Sequence, residues 1–132
     1  MELRTVIGDR DAAGFTLIEL LVVMTIIGVL LTIAVPRYFR TVERSKETVL
    51  RRDLATVRES IDHYYGDLGQ YPDALPALVD KHYIRSVPVD PFTKSAETWL
   101  IVESDDPDHP GVRDIHSGSP DSGADGSPFV SW

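Results

Sequence analysis

Phe15-Thr16-Leu17-Ile18-Glu19-Leu20-Leu21-Val22-Val23-Met24-Thr25-Ile26-Ile27-Gly28-Val29-Leu30-Leu31-Thr32-Ile33-Ala34-Val35, closed by Pro36-Arg37, decides how this chain folds. Twenty-one residues in a row contain one charge. As a helix they extend about 31 Å, close to the hydrocarbon thickness of a bilayer. A single domain of this size cannot cover every face of such a helix, so the stretch reads as membrane-spanning rather than as a buried core element. It is too long for the apolar segment of an ordinary secretory signal. The residues before it are not basic, and no small-x-small cleavage site precedes Pro36.

Outward from this stretch the charges fall into zones. Residues 1–14 carry two basic and three acidic groups, residues 15–62 seven and six, and residues 63–132 four and twelve. The net charge of −8 therefore belongs to the C-terminal half. That half lacks the basic face needed to neutralise phosphates, which excludes direct nucleic-acid binding. A basic cluster of Arg37, Arg40, Arg44, Lys46, Arg51 and Arg52 follows the apolar run. With no cysteine in 132 residues, disulfides, thiolate metal sites and a Cys nucleophile are ruled out.

Glu19 is the anomaly. A carboxylate in hydrocarbon is expensive, so it must either snorkel to the headgroups or find a positive partner. An α-amino group at Phe15 would serve if the chain were cut there.

Gly14-Phe15-Thr16-Leu17-Ile18-Glu19, with the apolar run and Pro36, resembles the signal and N-terminal helix of type IV pilins and of type II secretion pseudopilins. The resemblance implies cleavage by a prepilin peptidase after Gly14 and methylation of Phe15. It also implies pairing of Glu19 with the Phe15 amine of a neighbouring subunit during assembly, and it puts the N-terminus in the cytoplasm. The positive-inside rule applied to Arg37, Arg40 and Arg44 against Arg4 and Arg10 gives the opposite orientation.

Beyond Pro36, Val42, Val49, Leu50, Leu54, Val57, Ile61, Tyr64, Tyr65 and Leu68 form one apolar stripe, which continues the helix into a soluble region. Glu47 with Arg51 and Arg58 with Asp62 are expected to pair along its wet side. Pro36, with Gly28 upstream, marks where the helix can kink or unwind; the resemblance implies loosening over this segment on assembly. Gly66, Gly69 and Pro72 end the helix. A short helix within Tyr71–Asp80, a rigid corner at Pro88–Pro91, and strands at Thr98–Glu103 and Val112–His116 around a polar turn complete the pattern.

The expected fold is α+β and pilin-like: a long N-terminal helix, membrane-spanning in its first half, with a small antiparallel hairpin packed on it. The divisions are a leader at 1–14, a membrane and filament-core helix at 15–36, the soluble half of the helix at 37–70, and a periplasmic α+β region at 71–132. Tyr71-Pro72, Leu78-Val79, Val87-Pro88-Val89-Asp90-Pro91 and Asp125-Gly126 are closer to the major pseudopilin of type II secretion than to a type IV pilus subunit. This implies a structural, non-enzymatic subunit of an inner-membrane-anchored filament that drives export across the outer membrane. Its partners would be copies of itself, the prepilin peptidase, minor pseudopilins, and an inner-membrane platform with its ATPase. A type IV pilus subunit and a single-pass anchored binding domain are the alternatives.

Two further groups remain. Ser117, Ser119, Asp121 and Asp125 supply hard oxygen ligands in a glycine-rich tail, and major pseudopilins hold calcium in their last loop. The competing reading is a solvated turn whose side chains satisfy the local backbone. Four histidines lack ligand spacing. Asp114, His116 and Ser117 lie too close along one strand for a nucleophilic triad.

Overall fold

The computed structural model describes residues 13–132; apart from Ala13 and Gly14, the expected leader lies outside the described residues. The elements are α1 (Leu17–Leu68), α2 (Leu75–Asp80), β1 (Leu100–Glu103), β2 (Val112–His116) and a closing 3-10 turn at Phe129–Ser131. The chain divides after Phe39 into two compact units.

In the first unit α1 is exposed on all sides: no part of its apolar window is buried, and Phe15, Ile26 and Val35 remain 89, 54 and 45 % exposed. Length and composition suffice to cross a membrane. Thr25 and Thr32 donate their hydroxyls to the carbonyls of Leu21 and Gly28, both at 2.8 Å, so neither leaves a polar hydrogen free. Pro36 lies inside the helix and has no N–H, which deprives the Thr32 carbonyl of its usual donor four residues on.

In the second unit α1 contributes Leu50, Leu54, Val57, Ile61 and Tyr64 to the core. Their alternating spacing of four and three keeps them on one side of the helix. Opposite them lie Leu75 and Leu78 of α2, Trp99, Val112 and Ile115 of the hairpin, and Phe129. Val49 and Leu68, at the margins of the stripe, stay exposed.

The hairpin is antiparallel, with Ile101 opposite Ile115 and Val102 opposite Asp114. An irregularity between Val102 and Glu103 pairs Glu103 with Val112 and leaves Arg113 as the extra residue of a bulge. The shift in parity turns Val112 and Ile115, three residues apart, both inward. The first strand starts at Leu100, two residues later than the sequence pattern suggests: Thr98 is taken up by a hydroxyl contact with Thr93 at 2.5 Å. Gly111 has φ +125, and a Cβ there would lie 2.8 Å from the Pro72 carbonyl oxygen, so the turn docks only without a side chain. The neighbouring Val112 amide donates to that same carbonyl at 2.8 Å.

Because Ile61 and Leu78 are fully buried in one cluster, Ile61→Ala and Leu78→Ala should each lower stability by about 2–5 kcal/mol. Denaturant unfolding of the detergent-solubilised chain measures this; a loss below 1 kcal/mol in both would contradict the core described.

Candidate assembly site

Residues 13–16 precede α1 as an exposed, non-helical segment, and a Cβ at Gly14 would meet nothing within 4 Å. The Gly14–Phe15 bond thus lies in open, exposed backbone. One residue further, Thr16 caps the helix. Its Oγ1 accepts from the Glu19 amide at 3.2 Å, while the Glu19 carboxylate accepts from the Thr16 amide at 2.9 Å and from its hydroxyl at 3.1 Å. This reciprocal capping box has the sequence signature Thr16-x-x-Glu19. Phe15, Ile18, Glu19, Val22 and Val23 line one shallow groove, so Glu19 lies on the same side as Phe15.

At Gly28 and Pro36, both expected to confer flexibility, α1 stays helical through each. Open space surrounds Gly28.

The second unit is closed by polar contacts that the sequence pattern missed. Arg58 does not pair with Asp62. Its Nε donates to Asp114 Oδ1 at 2.6 Å, and its Nη2 donates to the carbonyls of Ile115 and Trp132 at 2.8 and 2.7 Å. Glu47 and Arg51 also turn from each other: Glu47 accepts from the Ala124 amide at 2.8 Å, and the Arg51 guanidinium lies 3.6 Å from the Trp132 ring centroid. The helical pairs lose because a planar guanidinium gains more from carbonyls, a carboxylate and an aromatic face than from one solvated ion pair. The Trp132 carbonyl also meets His116 Nδ1.

Asp90 is the other residue missed. Fully buried, it accepts from the amides of Phe92 and Thr93 through Oδ1, at 2.8 and 3.3 Å, and from the Ser117 hydroxyl through Oδ2 at 2.5 Å. Its position before Pro91 was the available signal, since Asp caps turns of this kind. Half-buried Asp53 faces a related cost: desolvation raises its pKa above the ordinary carboxylate value, opposed by the Arg52 charge and assisted to a smaller extent by repulsion from Asp90.

Three of the four expected oxygen ligands, Ser117, Ser119 and Asp125, have other engagements. Ser117 is bound to Asp90, Ser119 receives the Asp121 amide at 3.3 Å, and Asp125 Oδ1 accepts from the amide and hydroxyl of Ser127 at 2.9 and 2.6 Å. Those Ser127 bonds, first the hydroxyl, hold the Asp125 pKa below its ordinary value, with Arg51 at 3.7 Å adding to them. Among the described residues no three carboxylates or imidazoles gather into a metal-holding group. With three of the four engaged in this way, the set does not fit a hard cation shared by all four, calcium included.

An exposed apolar helix with a capped acid at its start, followed by a helix–hairpin unit, defines a pilin-like protein anchored in a membrane by its N-terminal helix. A family profile described as the prokaryotic N-terminal methylation motif matches residues 9–35. Type II secretion system core protein G of Dickeya chrysanthemi is 32 % identical over 129 residues, covering 86 % of this chain and 80 % of that protein. The same-named protein of Pseudomonas aeruginosa is 33 % identical over 99 residues, covering 63 and 70 %. A fimbrial protein of Eikenella corrodens is 37 % identical over 81 residues, covering 58 and 53 %. No solved structure matches the chain. The chain belongs to the type II secretion system core protein G family.

Asp90→Ala should destabilise by about 3 kcal/mol, since it strands a buried hydroxyl and two amides. Asp53 has the opposite sign. Its raised folded pKa means that stability is fully present below the unfolded pKa and is lost as pH rises through the folded one. Asp53→Asn should therefore raise the melting temperature at pH 7 by about 1–3 °C, and the gain should vanish in acid. A gain that persists unchanged at low pH would refute that cause.

Proposed function

We infer that the chain works as a structural subunit of a type II secretion pseudopilus, cut after Gly14 by a prepilin peptidase, methylated at Phe15 and polymerised to drive protein export across the outer membrane. The observation that carries this is a fully exposed apolar helix bearing Glu19, overlapped by a methylation motif, in a core protein G chain.

The work is mechanical. In the bilayer the helix is covered by lipid and in the filament by the same helix of neighbouring copies. Glu19 exchanges its Thr16 cap for the Phe15 amine of an adjacent copy, which fixes the axial step. Gly28 provides no side chain, and the Thr32 carbonyl lacks a helical donor because of Pro36, so this segment is where the helix loosens as the copy leaves the membrane. The soluble unit lies in the periplasm. Minor pseudopilins, a polytopic platform and a cytoplasmic ATPase supply initiation and energy, and this subunit carries out no catalysis.

Similarity to a fimbrial protein supports a second reading, a type IV pilus subunit, but that match spans only 53 % of the relative. A single-pass anchored binding domain would be left uncut.

Mass spectrometry of the chain produced with a prepilin peptidase should find a mature protein starting at N-methyl-Phe15; intact Met1 would defeat the filament reading. Glu19→Ala should insert normally yet reduce fibre yield at least tenfold, and full fibre yield would remove Glu19 from assembly. A deletion strain should lose exported enzymes while keeping surface pili.

A further inference from the structure

The soluble unit carries an open groove of about 690 Å³ beside the hairpin. Its apolar floor is made by Leu75, Val87, Trp99 and Ile101, and the ionisable residues lining it are Asp73, Glu97 and Glu103, all acidic. All three are exposed, and no described residue forms an ion pair with any of them. Three carboxylates around a hydrophobic floor suit a ligand that is apolar at its centre and cationic at its edge.

The chain itself carries that chemistry. Tyr38 and Phe39 meet edge-to-face at 5.8 Å and remain 66 and 62 % exposed, so neither is seated in a groove within its own chain. Arg40 follows directly and Arg44 one turn later, both exposed. Large aromatics beside arginines are the residues that dominate protein interfaces. We propose that the groove receives the Tyr38–Phe39 pair of a second copy, whose Arg40 and Arg44 meet the carboxylates of Asp73, Glu97 and Glu103. This rests on the filament reading, which brings copies together at high local concentration, and it names a contact outside the apolar helix core. Because the charged rim is exposed, salt weakens the contact.

The cysteine-free sequence offers a clean background for the test. Copies carrying Phe39→Cys are produced together with copies carrying Ile101→Cys, and assembled fibres are oxidised. A dimer containing one of each variant is expected, absent when either variant is produced alone with wild type. Fibres that yield no such mixed dimer would overturn the docking while leaving the filament reading intact. A wild-type chain that forms no fibre defeats both. A cross-link from Ile101→Cys to a protein of another mass assigns the groove to a different occupant and also overturns the proposal. As a second measurement, the Glu97→Lys, Glu103→Lys pair should lower fibre yield at least tenfold, and adding Arg40→Glu with Arg44→Glu should restore at least a third of it. Unchanged yield in the first pair, or no recovery in the second, counts against the contact.

Discussion

A helix that is apolar around its whole circumference has to be covered by something, and the described residues supply no cover for residues 15–35. That single requirement organises the protein. In the filament reading proposed above, lipid would cover it in one state and identical helices in another, and the hydrophobic effect does not distinguish strongly between two apolar surroundings. What distinguishes them is polar. On that reading Glu19, held by Thr16 in the isolated chain, is the one group of the helix whose pairing would change with its neighbours. The threonines further along contribute nothing of the kind, because their hydroxyls are already bonded to the backbone.

The soluble unit solves a different problem, that of closing a small core without disulfides. Its apolar cluster draws on one stripe of α1, and the loops around it are fastened by two polar hubs. Arg58 gathers the second strand and residue 132, and Asp90 gathers its own turn and Ser117. Each hub joins segments distant in sequence, which is the function a disulfide would otherwise serve. Gly118 lies so close to the Thr98 carbonyl that a side chain there would force the strands apart.

Much of this was legible beforehand. The membrane helix, its continuation along Leu50 to Tyr64, the short second helix and the second strand follow from apolar spacing and turn residues, all local signals. The side-chain partners were not legible, and for one reason. Glu47 and Arg51, or Arg58 and Asp62, are four apart and should meet on an isolated helix, yet each of Glu47, Arg51 and Arg58 is claimed by a residue 56 to 77 positions away or stacked under Trp132. Periodicity carries no information about such distant claims. The same holds for the tail, where Ser117 reads as an available oxygen donor until Asp90 is brought against it.

The Arg58 hub also constrains how the chain can be made. Its farthest partner is 74 residues downstream, so at about 5–20 residues per second the guanidinium emerges roughly 4–15 s before the carbonyl that completes its coordination. Early in that interval, before Leu75, Leu78 and the hairpin follow, the apolar side of α1 around Val57 and Ile61 is bare. Newly synthesised copies therefore pass through a sticky, half-closed form, which the anchoring first helix holds at the bilayer until the chain closes.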